Sequence, residues 1–108
     1  MELLEKTQNI FDEQSKNSLV NILSDRYCRH ILQATQYKPK SAMELGKECE
    51  IPISTVYRRL QNLHDHHLVQ TTGNISEDGK KYFLYKSKVD GISAVFSENG
   101  FEVNMLWK

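Results

Sequence analysis

Ser54, Arg58, Gln61 and Asn62 are the side chains whose types and spacing best suit a chemical task, and that task is recognition. They sit in ISTVYRRLQNL, where Val56, Leu60 and Leu63 recur at i, i+4 and i+7, the spacing of one buried helix face. At about 100° per residue the hydroxyl, the guanidinium and the two amides point away from that face, with Thr55 and Tyr57 on its flanks. A short helix showing hydroxyls, amides and arginine outward is what reading base edges in a DNA major groove requires. Arg58 points outward and is the better base or phosphate reader. Its neighbour Arg59 flanks the core and is expected to pair with a phosphate or an acid. Tyr57 can bond a phosphate through its hydroxyl or cover the edge of the core.

Such a helix needs a frame. Ser41 and Glu44 form an S-x-x-E capping box, so a helix is expected to start at Ser41, with Leu45 and Cys49 as a small buried stripe. Pro52 cannot continue it and biases Ile51 toward an extended conformation. The second helix restarts between Pro52 and Ser54, where proline suits a first turn and serine a cap. Two helices joined by a tight turn result.

This stretch, Ser41 to Val69, resembles the helix-turn-helix of ArsR-like winged-helix transcriptional regulators of the archaeal type. Glu44-Leu45-Gly46 opens the first helix and Ser54-Thr55-Val56-Tyr57-Arg58-Arg59-Leu60 the second, with Leu63 and Leu68-Val69 fitting as well. The resemblance covers about Leu19 to Ser87. It implies a winged helix that binds double-stranded DNA, with Ser54, Thr55, Tyr57, Arg58, Arg59, Gln61 and Asn62 at the DNA. Glu50 and His67 stand where the family usually has glycine, and a left-handed glutamate costs roughly 1 kcal/mol more than glycine would.

The 108 residues allow one domain with a single modest core. Charged residues make up 26% and hydrophobic ones 39%, with no apolar run approaching a membrane span and no signal-peptide pattern, which reads as a cytoplasmic protein. Net charge is zero, whereas nucleic-acid-binding domains are usually basic. From Ser54 to Lys88, however, six cations face three anions, a local +3. Such a face binds phosphates with a shallow salt dependence.

Enzyme chemistry has no foothold: P-loop, dinucleotide-binding, H-E-x-x-H and C-x-x-C patterns are all missing. His64, His66 and His67 cluster near the end of the second helix, and with Cys28 or Cys49 could face an ion. Some members of the resembled family sense metals, but that family's cysteine-rich sensing motif is absent here. No metal or other cofactor is expected, and Cys49 is read as a small buried hydrophobe.

Around this centre, Met1 to Asn17 is expected to form an amphipathic helix through Leu3, Leu4, Ile10 and Phe11, or a frayed tail. Leu19, Ile22 and Leu23 form the next helical stripe, closed at Ser24-Asp25. Tyr27, Cys28, Ile31 and Leu32 form the buried face of another helix, running to about Thr35. After the second helix of the motif, Leu68 to Ile75 and Lys81 to Lys86 read as strands around the Asp78-Gly79 turn, a wing with Lys80 and Lys81 near its tip. Ile92 to Lys108 reads as a second hairpin. Asn99-Gly100 as a type I′ turn sets Phe96 opposite Val103, Ala94 opposite Met105 and Ile92 opposite Trp107. The Phe101, Val103, Met105 and Trp107 face must then cover its own chain or meet a second subunit.

The expected architecture is α+β, a winged helix-turn-helix with an N-terminal helix (1–18), a DNA-binding domain (19–88) and a C-terminal β-hairpin (89–108). The expected function is sequence-specific regulation of transcription as a homodimer on duplex DNA; the residues do not tell whether an effector, metal or redox signal is sensed. The alternative is a winged-helix protein–protein module in a transcription complex, with the terminal hairpin as its working surface.

Overall fold

In chain order, the computed structural model, which describes residues 6–108, contains β1 (Thr7–Ile10), α1 (Glu13–Ser24), α2 (Arg26–Ala34), α3 (Ala42–Glu48) and α4 (Ile53–Asp65). Two hairpins follow: β2 (Val69–Ile75) with β3 (Lys81–Ser87), and β4 (Val89–Ser97) with β5 (Gly100–Trp107). The fold is an α+β winged helix-turn-helix followed by a C-terminal hairpin. The sheets are separate: β2-β3 is the wing, and β1-β5-β4 is an antiparallel three-stranded sheet. Among the described residues no helix is long and apolar enough to cross a membrane.

Capping residues set the helix boundaries. Asp12 starts α1 by accepting from the Ser15 N–H at 2.8 Å, and Asp25 starts α2 by accepting from Cys28 N–H at 2.8 Å. Ser41 and Glu44 complete the expected box, with Ser41 Oγ accepting from Glu44 N–H at 3.1 Å and Glu44 Oε1 from Ser41 N–H at 3.0 Å. The core is built from most of the expected stripes, while Leu23, Tyr27 and Cys49 are only half-buried. Ile22, Cys28, Ile31, Leu45, Val56 and Leu63 are each at most 1% exposed.

Both helices of the motif end in left-handed residues that are not glycine. Glu50 has φ 54° and His67 φ 61°. In each case the following N–H reaches back to close the helix: Ile51 to the Gly46 carbonyl at 3.0 Å, and Leu68 to the Leu63 carbonyl at 2.9 Å. Gly46 suits that closure, since a Cβ there would lie 3.2 Å from the Ile51 oxygen, a tight contact that the turn would have to relax by a few tenths of an ångström. Glu50→Gly should raise stability by up to about 0.5 kcal/mol, the left-handed strain relieved minus the entropy glycine adds to the unfolded chain. A urea midpoint that falls would instead show that the glutamate side chain holds the turn.

Three expectations are corrected. Helix does not run through residues 7–10: Thr7–Ile10 pair with Leu106–Val103 as an edge strand, and helix begins only at Glu13. Leu3 and Leu4 lie outside the described residues. In the terminal hairpin Phe96 faces Phe101, Ala94 faces Val103 and Ile92 faces Met105, two residues from the expected register. The turn is Glu98-Asn99, and Gly100, with φ 115°, opens β5 instead of sitting in the turn. A slip of two keeps every side chain on its face, so the expected apolar face survives. That face covers the chain's own helices: Val103 is 0% and Met105 1% exposed. Finally, Ser54 does not cap α4. Pro52 occupies that position, with no side-chain cap, and its carbonyl accepts from Thr55 and Val56 N–H at 2.9 and 3.0 Å.

Candidate nucleic-acid interface

The outward face of α4 carries Ser54, Tyr57, Arg58, Gln61 and Asn62, all exposed, while Thr55 is half-buried. No side chain caps α4, and in its first turn Thr55 N–H is taken by the Pro52 carbonyl, which leaves Ile53 and Ser54 as the N–H groups nearest an approaching oxyanion such as a phosphate. Gln61 donates to Asp65 Oδ1 at 2.8 Å, one turn on, and the Asn62 carbonyl accepts from His66 N–H. The His66 ring bonds the same carbonyl through Nδ1 at 2.9 Å, so this histidine satisfies backbone. Among the described residues no three His, Cys, Asp or Glu side chains are grouped to hold a metal ion.

The two adjacent arginines separate. Arg59 is tied to the Asp25 carboxylate, Nε to Oδ2 at 3.0 Å, and its guanidinium lies 5.7 Å from the Tyr27 ring centre. Of its two expected partners, phosphate or acid, the structure supplies the acid. Partial burial pushes the Asp25 carboxyl up, but Arg59 and the Cys28 N–H outweigh it and hold the pKa below the usual aspartate value. One carboxylate thus caps α2 and anchors α4, fixing the angle at which α4 is presented. Arg58, one residue earlier, stays exposed.

Hydrogen bonds fix the wing to the segment between α2 and α3. Lys40 and Tyr85 exchange N–H···O bonds of 3.0 and 2.8 Å, joining the segment before α3 to β3. Ser87 N–H donates to the Thr35 carbonyl at 3.0 Å, and Gln36 Nε2 reaches Ser87 Oγ and the Val89 carbonyl. At the tip, Ser76 organises the turn: its N–H donates to the Lys80 carbonyl at 2.8 Å, its carbonyl accepts from Gly79 N–H, and its hydroxyl bonds Asp78. Gly79 takes φ 82°. Lys80 and Lys81 are exposed beside this turn, and the Lys81 ammonium lies 5.3 Å from the Phe83 ring centre.

Between α4 and the wing runs a cleft the sequence did not reveal. One part, of about 300 Å³, is lined by Tyr57, Gln61 and His64 from α4 and by Thr71, Phe83 and Tyr85 from the wing. Another, of about 350 Å³, adds Ser41, Met43, Lys81 and Tyr82. Tyr57 borders both. Burial, with Tyr57 nearby, pushes the Tyr85 phenol up, so it stays a neutral hydrogen-bonding group. Lys81, Phe83 and Tyr85 share one face of β3 by alternation, a signal present in the sequence once β3 is given a direction.

The helix-turn-helix domain family matches residues 23–72, which run from the end of α1 through α4 into β2. The wing's second strand and the terminal sheet lie beyond that match. No characterised protein shows a significant sequence match to the chain.

Proposed function

We propose that this protein is an ArsR-like regulator of transcription that binds double-stranded DNA sequence-specifically as a homodimer. Its α4 enters the major groove and its wing follows the flanking backbone. The observation that carries the reading is the division of labour along α4. Val56, Leu60 and Leu63 are buried and Arg59 is held by Asp25, while Ser54, Arg58, Gln61 and Asn62 are presented outward. Any surface helix keeps a polar face, and here that face carries the hydroxyl, guanidinium and amide groups suited to base edges and phosphates.

A second reading, a protein–protein module, draws on the aromatic cleft, where Tyr57 is 53% and Phe83 44% exposed, and on the zero net charge. A salt titration of binding to random duplex DNA separates the two, since the protein-docking reading expects almost no binding at any salt.

The wing supplies a sharper measurement. Neutralising Lys80 and Lys81 together should weaken binding to all sequences alike and flatten the slope of log affinity against log salt by about 1–2 units. Loss confined to one preferred sequence would make the wing a base reader instead.

A further inference from the structure

Among the described residues β4 is an outer strand of the three-stranded sheet and pairs only with β5. The helical layer shelters its beginning: Val89 is 2% exposed, and Leu32, Gln36 and Tyr37 stand beside Asp90, Gly91 and Ile92. From Ser93 to Ser97 every residue is exposed, Val95 at 54% and Phe96 at 83%. The run Gly91–Ser97, GISAVFS, holds no charge and no proline.

Edge strands are ordinarily blunted by shortness, charge, proline or cover, because their unpaired N–H and C=O groups template another strand. The other edges here follow that rule. β1 is four residues long, and β3 carries Lys81 and Lys86 and is bridged at Tyr85 by Lys40. β2 is polar and interrupted by Gly73. The far half of β4 has none of these protections and adds three consecutive apolar side chains, Ala94, Val95 and Phe96.

We propose that the Gly91–Ser97 edge is the contact between two copies of this chain, paired antiparallel about a two-fold axis into one six-stranded sheet. A two-fold contact must be complementary to itself, and this segment is. Centred on Val95, the pairing sets Val95 against the partner's Val95, Phe96 against the partner's Ala94 and Ser97 against the partner's Ser93. Large meets small, hydroxyl meets hydroxyl, and no like charges stand opposite one another. The choice of a second copy as occupant rests on the homodimeric reading above; the exposure of the edge does not.

Sedimentation equilibrium of the full chain at micromolar concentrations is the test. The wild type should be dimeric, whereas Val95→Lys and Phe96→Glu should each be monomeric with unchanged helix and strand content, since both side chains are exposed within one copy. Mixing V95K with V95E should restore the dimer, because the pairing sets position 95 opposite itself. A monomeric wild type overturns the proposal and leaves the edge for a strand of some other protein. Persistence of the dimer in both single variants overturns it too, as does loss of structure in both, which would make the edge part of the fold. The DNA reading fails separately: a wild-type dimer that ignores duplex DNA removes that reading while the interface stands.

Discussion

Met105→Ala is expected to destabilise the chain by about 2–5 kcal/mol, the usual loss for emptying a buried methionine site. Met105 lies in β5 between Gln8 of β1 and Ile92 of β4, is 1% exposed, and belongs to the core that the helices form. Against a total stability of about 5–15 kcal/mol for a domain, that is a large share. Urea unfolding followed by circular dichroism measures it, with Glu102→Ala, at an exposed position of the same strand, as the comparison expected to change little. The result also separates two roles for the terminal sheet. If its inner face were a subunit contact, truncation would change the concentration dependence of the transition and leave the monomer's stability intact. A loss below about 1 kcal/mol would mean that β5 does not close the core.

The second large effect concerns binding. Arg58→Ala should lower affinity for the preferred duplex by about 1–3 kcal/mol, the worth of one good arginine contact to a guanine edge, with the melting temperature barely moved. The structure adds an internal control. Arg59→Ala removes the same charge one residue later but breaks the bond to Asp25, so it should lower the melting temperature. A gel-shift series in which Arg58→Ala binds like the wild type would take Arg58 out of the interface.

What could be read from the residues depended on how local the deciding physics was. Ser41 and Glu44 sit three apart and cap a helix by themselves. Val56, Leu60 and Leu63 declare a face within three turns, and Asp78-Gly79 a turn within two residues. The strand at Thr7–Ile10 could not be read this way, because its partner strand begins more than ninety residues away and TQNI carries no pattern of its own. The hairpin register failed for a related reason. Alternation fixes which side each residue faces, but a shift of two leaves it unchanged, so only the turn's backbone decides. The outward set on α4 was legible from helical period alone. The aromatic cleft was not, since it exists only where two elements meet: Tyr57 belongs to one, Phe83 and Tyr85 to the other.

The pairing of β1 with β5 has a kinetic consequence. Asn9 Nδ2 donates to Asn104 Oδ1 across 95 positions of sequence, and Trp107 Nε1 to Gln8 Oε1 across 99. During synthesis β1 precedes β5 by more than ninety residues and must wait for it. At about 5–20 residues per second that delay is roughly 5–20 s, ample for the helices and the wing, whose contacts are closer in sequence, to form first. Through that interval the side of the helical core destined for Val103 and Met105 lies open to water. A helical core formed in that interval would keep this side uncovered until β5 has left the ribosome and paired with β1.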